Sequence, residues 1–117
     1  MARAERLGLP IWKAVHLDQD RPADWASYPV DVYLLDGYSS TMPGGTGETI
    51  DWALATEFVQ AVDRPVLLSG GLHGGNVAEA VRRVAPAGVD ASSRLESVPG
   101  KKDIQKVREY ISICRAL

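Results

Sequence analysis

A chain of 117 residues, 45% hydrophobic and 24% charged, makes one small soluble-type α/β domain, or a piece of a larger one, with a core of little margin. A net charge of -2 without any run of Lys and Arg argues against a nucleic-acid surface, and no apolar run is long enough to span a membrane. The single cysteine, Cys114, excludes an internal disulfide and gives no metal-ligand spacing; with no signal peptide at the start, these features point to the cytoplasm. Along the chain, Met1 to Leu9 reads as the end of a helix stopped at Gly8, an opening expected of a domain with material missing upstream. Pro10 to Leu17 is the first predicted strand, and Asp18 to Pro29 a polar loop with a short helix at Ala23 to Ser27. Val30 to Asp36 is a second strand, almost wholly apolar, as expected of a strand buried on both faces.

Gly37 to Thr49 is a loop rich in glycine, proline and hydroxyls. Ile50 to Val62 has helical spacing through Leu54, Phe58 and Val62, and Asp63-Arg64-Pro65 ends it. Val66 to Ser69 is a third strand, Gly70 to Gly75 a loop, and Asn76 to Val84 a helix with Val77, Ala80, Val81 and Val84 in period. Ala87 to Ala91 is a fourth strand and Ser92 to Gly100 a loop. A last helix runs from Lys101 to Leu117, with Ile104, Val107, Ile111 and Cys114 on one stripe. Strands alternating with helices predict a parallel sheet with right-handed crossovers. Four such units make a small open sheet or half of an eight-stranded barrel.

The residues that could carry chemistry lie at strand C-terminal ends, where parallel β/α proteins place their sites. Asp36 ends an apolar strand; a carboxylate there costs desolvation unless it is paired or used, so it is a candidate general acid or base, or else a turn residue beside Gly37. Gly44, Gly45 and Gly47 form a loop that fits neither a Walker A nor a dinucleotide pattern; it is a mobile turn or a lid. Gly70 and Gly71 follow one strand and Ser92 and Ser93 the next. Glycine lets backbone N–H groups approach a phosphate, hydroxyls add donors, and β/α barrels build phosphate sites from their last two loops. Asp90 alternates with Val89 and Ala91, which directs it into a barrel, where it suits a sugar hydroxyl or a structural partner. His16 ends a strand and reads as a polar lining residue. His73 lies in a loop, Cys114 reads as core, and no metal or cofactor site emerges.

Together these segments resemble the phosphoribosylanthranilate isomerase family, a tryptophan-pathway family with a (β/α)8 barrel. The resemblance rests on Ile11-Trp12-Lys13-Ala14-Val15, Leu34-Leu35-Asp36, Gly44-Gly45-Thr46-Gly47 with Asp51-Trp52, and Leu67-Leu68-Ser69-Gly70-Gly71-Leu72 with Asn76-Val77. It continues through Val89-Asp90-Ala91-Ser92-Ser93 with Glu96 and Pro99-Gly100-Lys101-Lys102-Asp103. It implies that residues 1–117 are the C-terminal half of a TIM barrel: the fifth to eighth β/α units, four parallel strands with outer helices. The implied reaction is an Amadori rearrangement of a phosphosugar substrate, in which an acid protonates the furanose ring oxygen and a base takes the C2 proton. The resemblance assigns the acid to Asp36. The family's base, a cysteine in a Lys-Ile-Cys-Gly-type first strand, has no counterpart here. Where the family often has glycine after Ser-Ser, this chain has Arg94, which either adds charge near the phosphate or strains a turn suited to glycine.

Three readings follow: a truncated isomerase active with a complementing N-terminal half, a non-catalytic phosphosugar-binding half-barrel, or an open α/β module in a structural or regulatory role. Exposed edge strands and an apolar inner face predict a homodimer or a complex with an N-terminal half.

Overall fold

The structure is a computed structural model and describes residues 7–16, 29–37 and 51–117. Four strands form one sheet: β1 (Trp12–His16), β2 (Val32–Asp36), β3 (Val66–Ser69) and β4 (Gly88–Val89). They lie side by side in chain order and every pair is parallel. Helix α1 (Trp52–Ala61) connects β2 to β3 and α2 (Val77–Val84) connects β3 to β4, so the predicted alternation holds across the described units. This is half of a (β/α)8-type architecture. The predicted strand bounds were wide at both edges, where pairing stops at Trp12 and Val89.

Side-chain alternation gives the sheet two faces. Val15, Tyr33, Leu35, Val66 and Leu68 point to the helices and are buried, packing with Ala55, Phe58, Val77, Ala80 and Val84. The Phe58 ring meets Tyr33 edge-on, with centroids 5.2 Å apart, an arrangement favoured by the ring quadrupoles. The other face carries Trp12, Ala14, His16, Val32, Leu34, Asp36, Leu67 and Ser69, exposed or half-buried. Trp12 is 60% exposed. The strands are therefore buried on one face rather than both.

Helix α1 starts where Asp51 caps it. The buried carboxylate accepts from the Leu54 N–H at 2.9 Å, and the Asp51 N–H donates to the Gly37 carbonyl at the same distance. That satisfies an orphan donor of the first turn and ties the helix to the end of β2.

The helix end expected over Met1 to Leu9 lies mostly in residues 1–6, outside the described residues; Leu7 and the expected stop Gly8 form a turn, with Gly8 at φ 65°. Two expectations need correction. The segment after β4 is not a plain loop: it holds a 3-10 turn (Ser93–Leu95) and an antiparallel hairpin, β5 (Glu96–Val98) with β6 (Lys101–Lys102). The last helix, α3, is Ile104–Arg115, capped by Asp103, whose carboxylate accepts from the N–H groups of Gln105 and Lys106. Its buried residue is Tyr110, flanked by half-buried Val107, Ile113 and Cys114, whereas Ile104 and Ile111 are exposed. The helix is rotated relative to the stripe of its most apolar residues, because a large aromatic fills the gap beside the sheet.

Glu96 in the hairpin accepts from Lys102 Nζ at 3.0 Å and from the Gly100 N–H at 3.3 Å. The Lys102 hydrogen bond, then the Gly100 N–H, holds its carboxyl below the usual 4.5. A depressed carboxylate contributes stability above its unfolded value, and the contribution is lost as pH falls through the folded one. Thermal unfolding of the parent and of Glu96→Gln is thus expected to differ at neutral pH and to converge well below pH 4.5. A gap that persists unchanged in acid would assign the effect to something other than this charge.

Candidate functional site

The C-terminal ends of β2, β3 and β4 converge on one cleft of about 220 Å³. Asp36, Ser69, Gly70, Gly71, Leu72, Asp90, Ala91, Ser92, Ser93 and Arg94 line it. The structure thus brings together six residues singled out in the sequence: Asp36, Gly70, Gly71, Asp90, Ser92 and Ser93. Gly44, Gly45 and Gly47 lie outside the described residues. The cleft is smaller than the about 300–1,000 Å³ of sites that enclose a whole small ligand, so it accommodates one end of a ligand.

Asp36 is the last residue of β2 and sits on the open face of the sheet. Its setting is polar rather than apolar: its side chain is 32% exposed, and Oδ2 lies 3.2 Å from Nδ1 of His16. The parallel register pairs these two residues directly across β1 and β2. His16 is thus a partner of the candidate acid, not merely a lining residue.

The loop after β3 turns on two glycines with φ of 93° at Gly70 and 71° at Gly71, a region where a Cβ is costly. Asn76, buried before the first turn of α2, locks this loop from behind. Its amide nitrogen donates to the Gly71 carbonyl at 3.0 Å and its carbonyl oxygen accepts from the His73 N–H at 2.9 Å. Asn76 therefore shapes the candidate phosphate loop without lining the cleft. The sequence reading quotes it only among the segments of the family resemblance and as the start of a helix, and gives it no role, although an Asn a few residues beyond a Gly-Gly turn offers both an amide donor and an acceptor to the loop.

Beyond β4, Lys102 is the second residue that the sequence reading missed. Its ammonium donates to the Ser92 carbonyl at 2.8 Å and to Ser92 Oγ at 3.2 Å. Because Ser92 Oγ accepts that bond, its hydroxyl hydrogen is left to donate elsewhere. Arg94 occupies the 3-10 turn without a positive φ, so the strain considered for a non-glycine residue there is absent. Its position in the cleft wall adds positive charge beside Ser92 and Ser93.

His73 is a turn residue whose Nδ1 accepts from the Gly75 N–H at 2.9 Å. Cys114 is half-buried on α3 against the core. Among the described residues no three His, Cys, Asp or Glu side chains are grouped to hold a metal ion, and no helix is long and apolar enough to cross a membrane.

Comparison with known proteins identifies the family to which this arrangement belongs. Residues 1–113 match the family model described as N-(5'phosphoribosyl)anthranilate (PRA) isomerase. The chain belongs to the N-(5'-phosphoribosyl)anthranilate isomerase family. The isomerase of Solibacter usitatus is 41% identical over 111 residues, 92% of this chain and 53% of that protein. The crystal structure of the Thermus thermophilus isomerase superposes with a TM-score of 0.76 at 31% identity, covering 98% of this chain and 55% of that one. A solved isomerase in complex with reduced 1-(o-carboxyphenylamino)-1-deoxyribulose 5-phosphate gives 0.72 at 30% identity, covering 99% of this chain and 54% of that one. The chain spans about half the length of the relatives it matches.

Proposed function

We propose that this chain forms the C-terminal half, the fifth to eighth β/α units, of an N-(5'-phosphoribosyl)anthranilate isomerase acting in tryptophan biosynthesis in the cytoplasm. The substrate is the phosphosugar N-(5-phosphoribosyl)anthranilate and the product carboxyphenylamino-deoxyribulose phosphate. The observation that carries this reading is the convergence of Asp36 with the glycine turn after β3 and the serines after β4 on a single cleft. Gly70, Gly71, Ser92 and Ser93 hold the phosphate through backbone N–H groups and hydroxyls, with Arg94 supplying charge. Asp90 meets a sugar hydroxyl. Asp36 gives its proton to the furanose ring oxygen as the ring opens. The phosphate-bearing ligand of the solved relative is chemically of the class such a cleft accepts.

A second reading, a phosphosugar-binding half-barrel without catalysis, is favoured by one observation. Cys114, the cysteine of this sequence, packs on the outer helix α3 and is unsuited to act as the base. An isomerase assay of the chain alone, and mixed with an N-terminal half bearing the family's first-strand cysteine, separates the two. Turnover only in the mixture supports the first reading; binding without turnover in both supports the second.

The open sheet face supports assembly. Leaving Trp12 exposed and the neighbouring Val32, Leu34 and Leu67 half-buried forgoes part of the about 1.5–3 kcal/mol that full burial gives each large apolar side chain, against a domain stability of about 5–15 kcal/mol. Among the described residues β1 and β4 are the edges of the sheet, and edge strands invite pairing with another chain. The chain is therefore expected to be a homodimer, or to be stable only with an N-terminal half bound. Trp12→Glu should weaken that association in a dilution series by light scattering. A well-folded dilute monomer with normal isomerase activity would overturn both the assembly and the need for a second half.

A further inference from the structure

We infer that His16 is a positioning and proton-relay residue for Asp36, which returns to that carboxylate the proton it spends. The inference rests on Asp36 acting as the acid of the proposed isomerisation. Three observations lead to it. His16 and Asp36 are register partners at the last positions of adjacent parallel strands, so the backbone itself fixes their separation. Nδ1 and Oδ2 stand 3.2 Å apart, a distance at which one proton can reside on either atom. The His16 side chain is 50% exposed while Asp36 is 32% exposed, and of the two only Asp36 lines the cleft. The imidazole therefore stands beside the acid on the same face of the sheet, outside the lining of the cleft, with its ring half exposed in this chain.

The proton bookkeeping closes. Asp36 transfers its proton to the ring oxygen as the C1–O bond breaks and is left as a carboxylate. The imidazole takes a solvent proton at Nδ1, passes it to Oδ2 and is left neutral with its own proton still on Nε2, as it began, the chemistry that suits a histidine ring to shuttling. The base that removed the C2 proton later releases it to solvent, so the net change is an isomerisation. An ionised carboxylate can only accept a hydrogen bond. The protonated carboxyl that acts as the acid donates instead, so Nδ1 of the neutral imidazole accepts and the ring carries its own proton on Nε2.

Two measurements test this, on the chain assembled with an N-terminal half if turnover requires one. In the first, His16→Ala should lower kcat by about a hundredfold, the lower end of the range for proton transfer by a positioned side chain, with KM unchanged. Added imidazole should restore much of the loss. Asp36→Asn should be inactive and not rescued. His16→Ala activity within twofold of the parent, or a loss that imidazole does not relieve, overturns the relay and leaves Asp36 as the acid. Activity retained in Asp36→Asn instead removes the acid assignment, and the relay with it. The second measurement needs neither turnover nor a variant that folds: long-range proton–nitrogen NMR on neutral His16. The Nε2–H tautomer is expected; an Nδ1–H tautomer overturns the relay.

Discussion

Asp36→Asn is expected to abolish isomerisation, with kcat falling by about 10²–10⁴-fold, while leaving the phosphate affinity of the assembled protein unchanged. Asparagine has the shape of aspartate and two of its hydrogen-bonding lone pairs, so it can keep a bond to His16 and the geometry at the end of β2. It lacks a proton that can be transferred at neutral pH. The loss is therefore that of one positioned general acid, the origin of the range given. The phosphate donors are on other strands: Gly70 and Gly71 follow β3, and Ser92 and Ser93 follow β4. Substrate should still bind by its phosphate end, so the change falls on kcat rather than KM. Retained turnover would transfer the acid role to another group, and Asp90, the cleft's other carboxylate, would be the next to test.

The route from sequence to this site ran through local pattern, and it failed where long-range register decides. The Val66–Ser69 strand and the Val77–Val84 helix were legible because each is short, periodic and bounded by turn residues. The cleft residues were legible because a parallel β/α chain places its chemistry after strands, a rule needing no contact information. The His16 and Asp36 pair was not legible: twenty positions separate them, and only the in-register pairing of β1 with β2 brings the side chains together. The hairpin of β5 and β6 escaped because its strands are too short to show alternation, although Pro99-Gly100 marked the turn. The α3 stripe was misread because Tyr110, not Ile104 or Ile111, enters the core. Apolarity alone does not fix which side of a helix a neighbouring element will cover.

The largest expected effect on binding comes from Gly71→Val. Gly71 sits at φ 71° between Gly70 at 93° and the buried Leu72. A β-branched residue in that region costs of the order of 1–3 kcal/mol, and the native turn is the one Asn76 holds through the Gly71 carbonyl. The strained loop can recover only by rotating this peptide, which breaks the Asn76 bond and re-aims the N–H groups at the cleft. If that strain falls wholly on the bound form, phosphate affinity drops by about five- to more than a hundredfold, at tenfold per 1.4 kcal/mol; the branched side chain beside the backbone donors adds a steric term. Inorganic phosphate is a sufficient probe, because the proposed backbone and serine donors all lie on the loops after β3 and β4 of this chain. Isothermal titration should show weak binding to the parent, none to Gly71→Val and intermediate binding to Gly71→Ala, which shares the unfavourable φ but lacks the branched bulk. Ser92→Ala should cost less than Gly71→Val, because it removes one hydroxyl and leaves the backbone donors aimed as before. Equal affinity for parent and Gly71→Val would place the phosphate away from this turn and detach the glycine pair from the site.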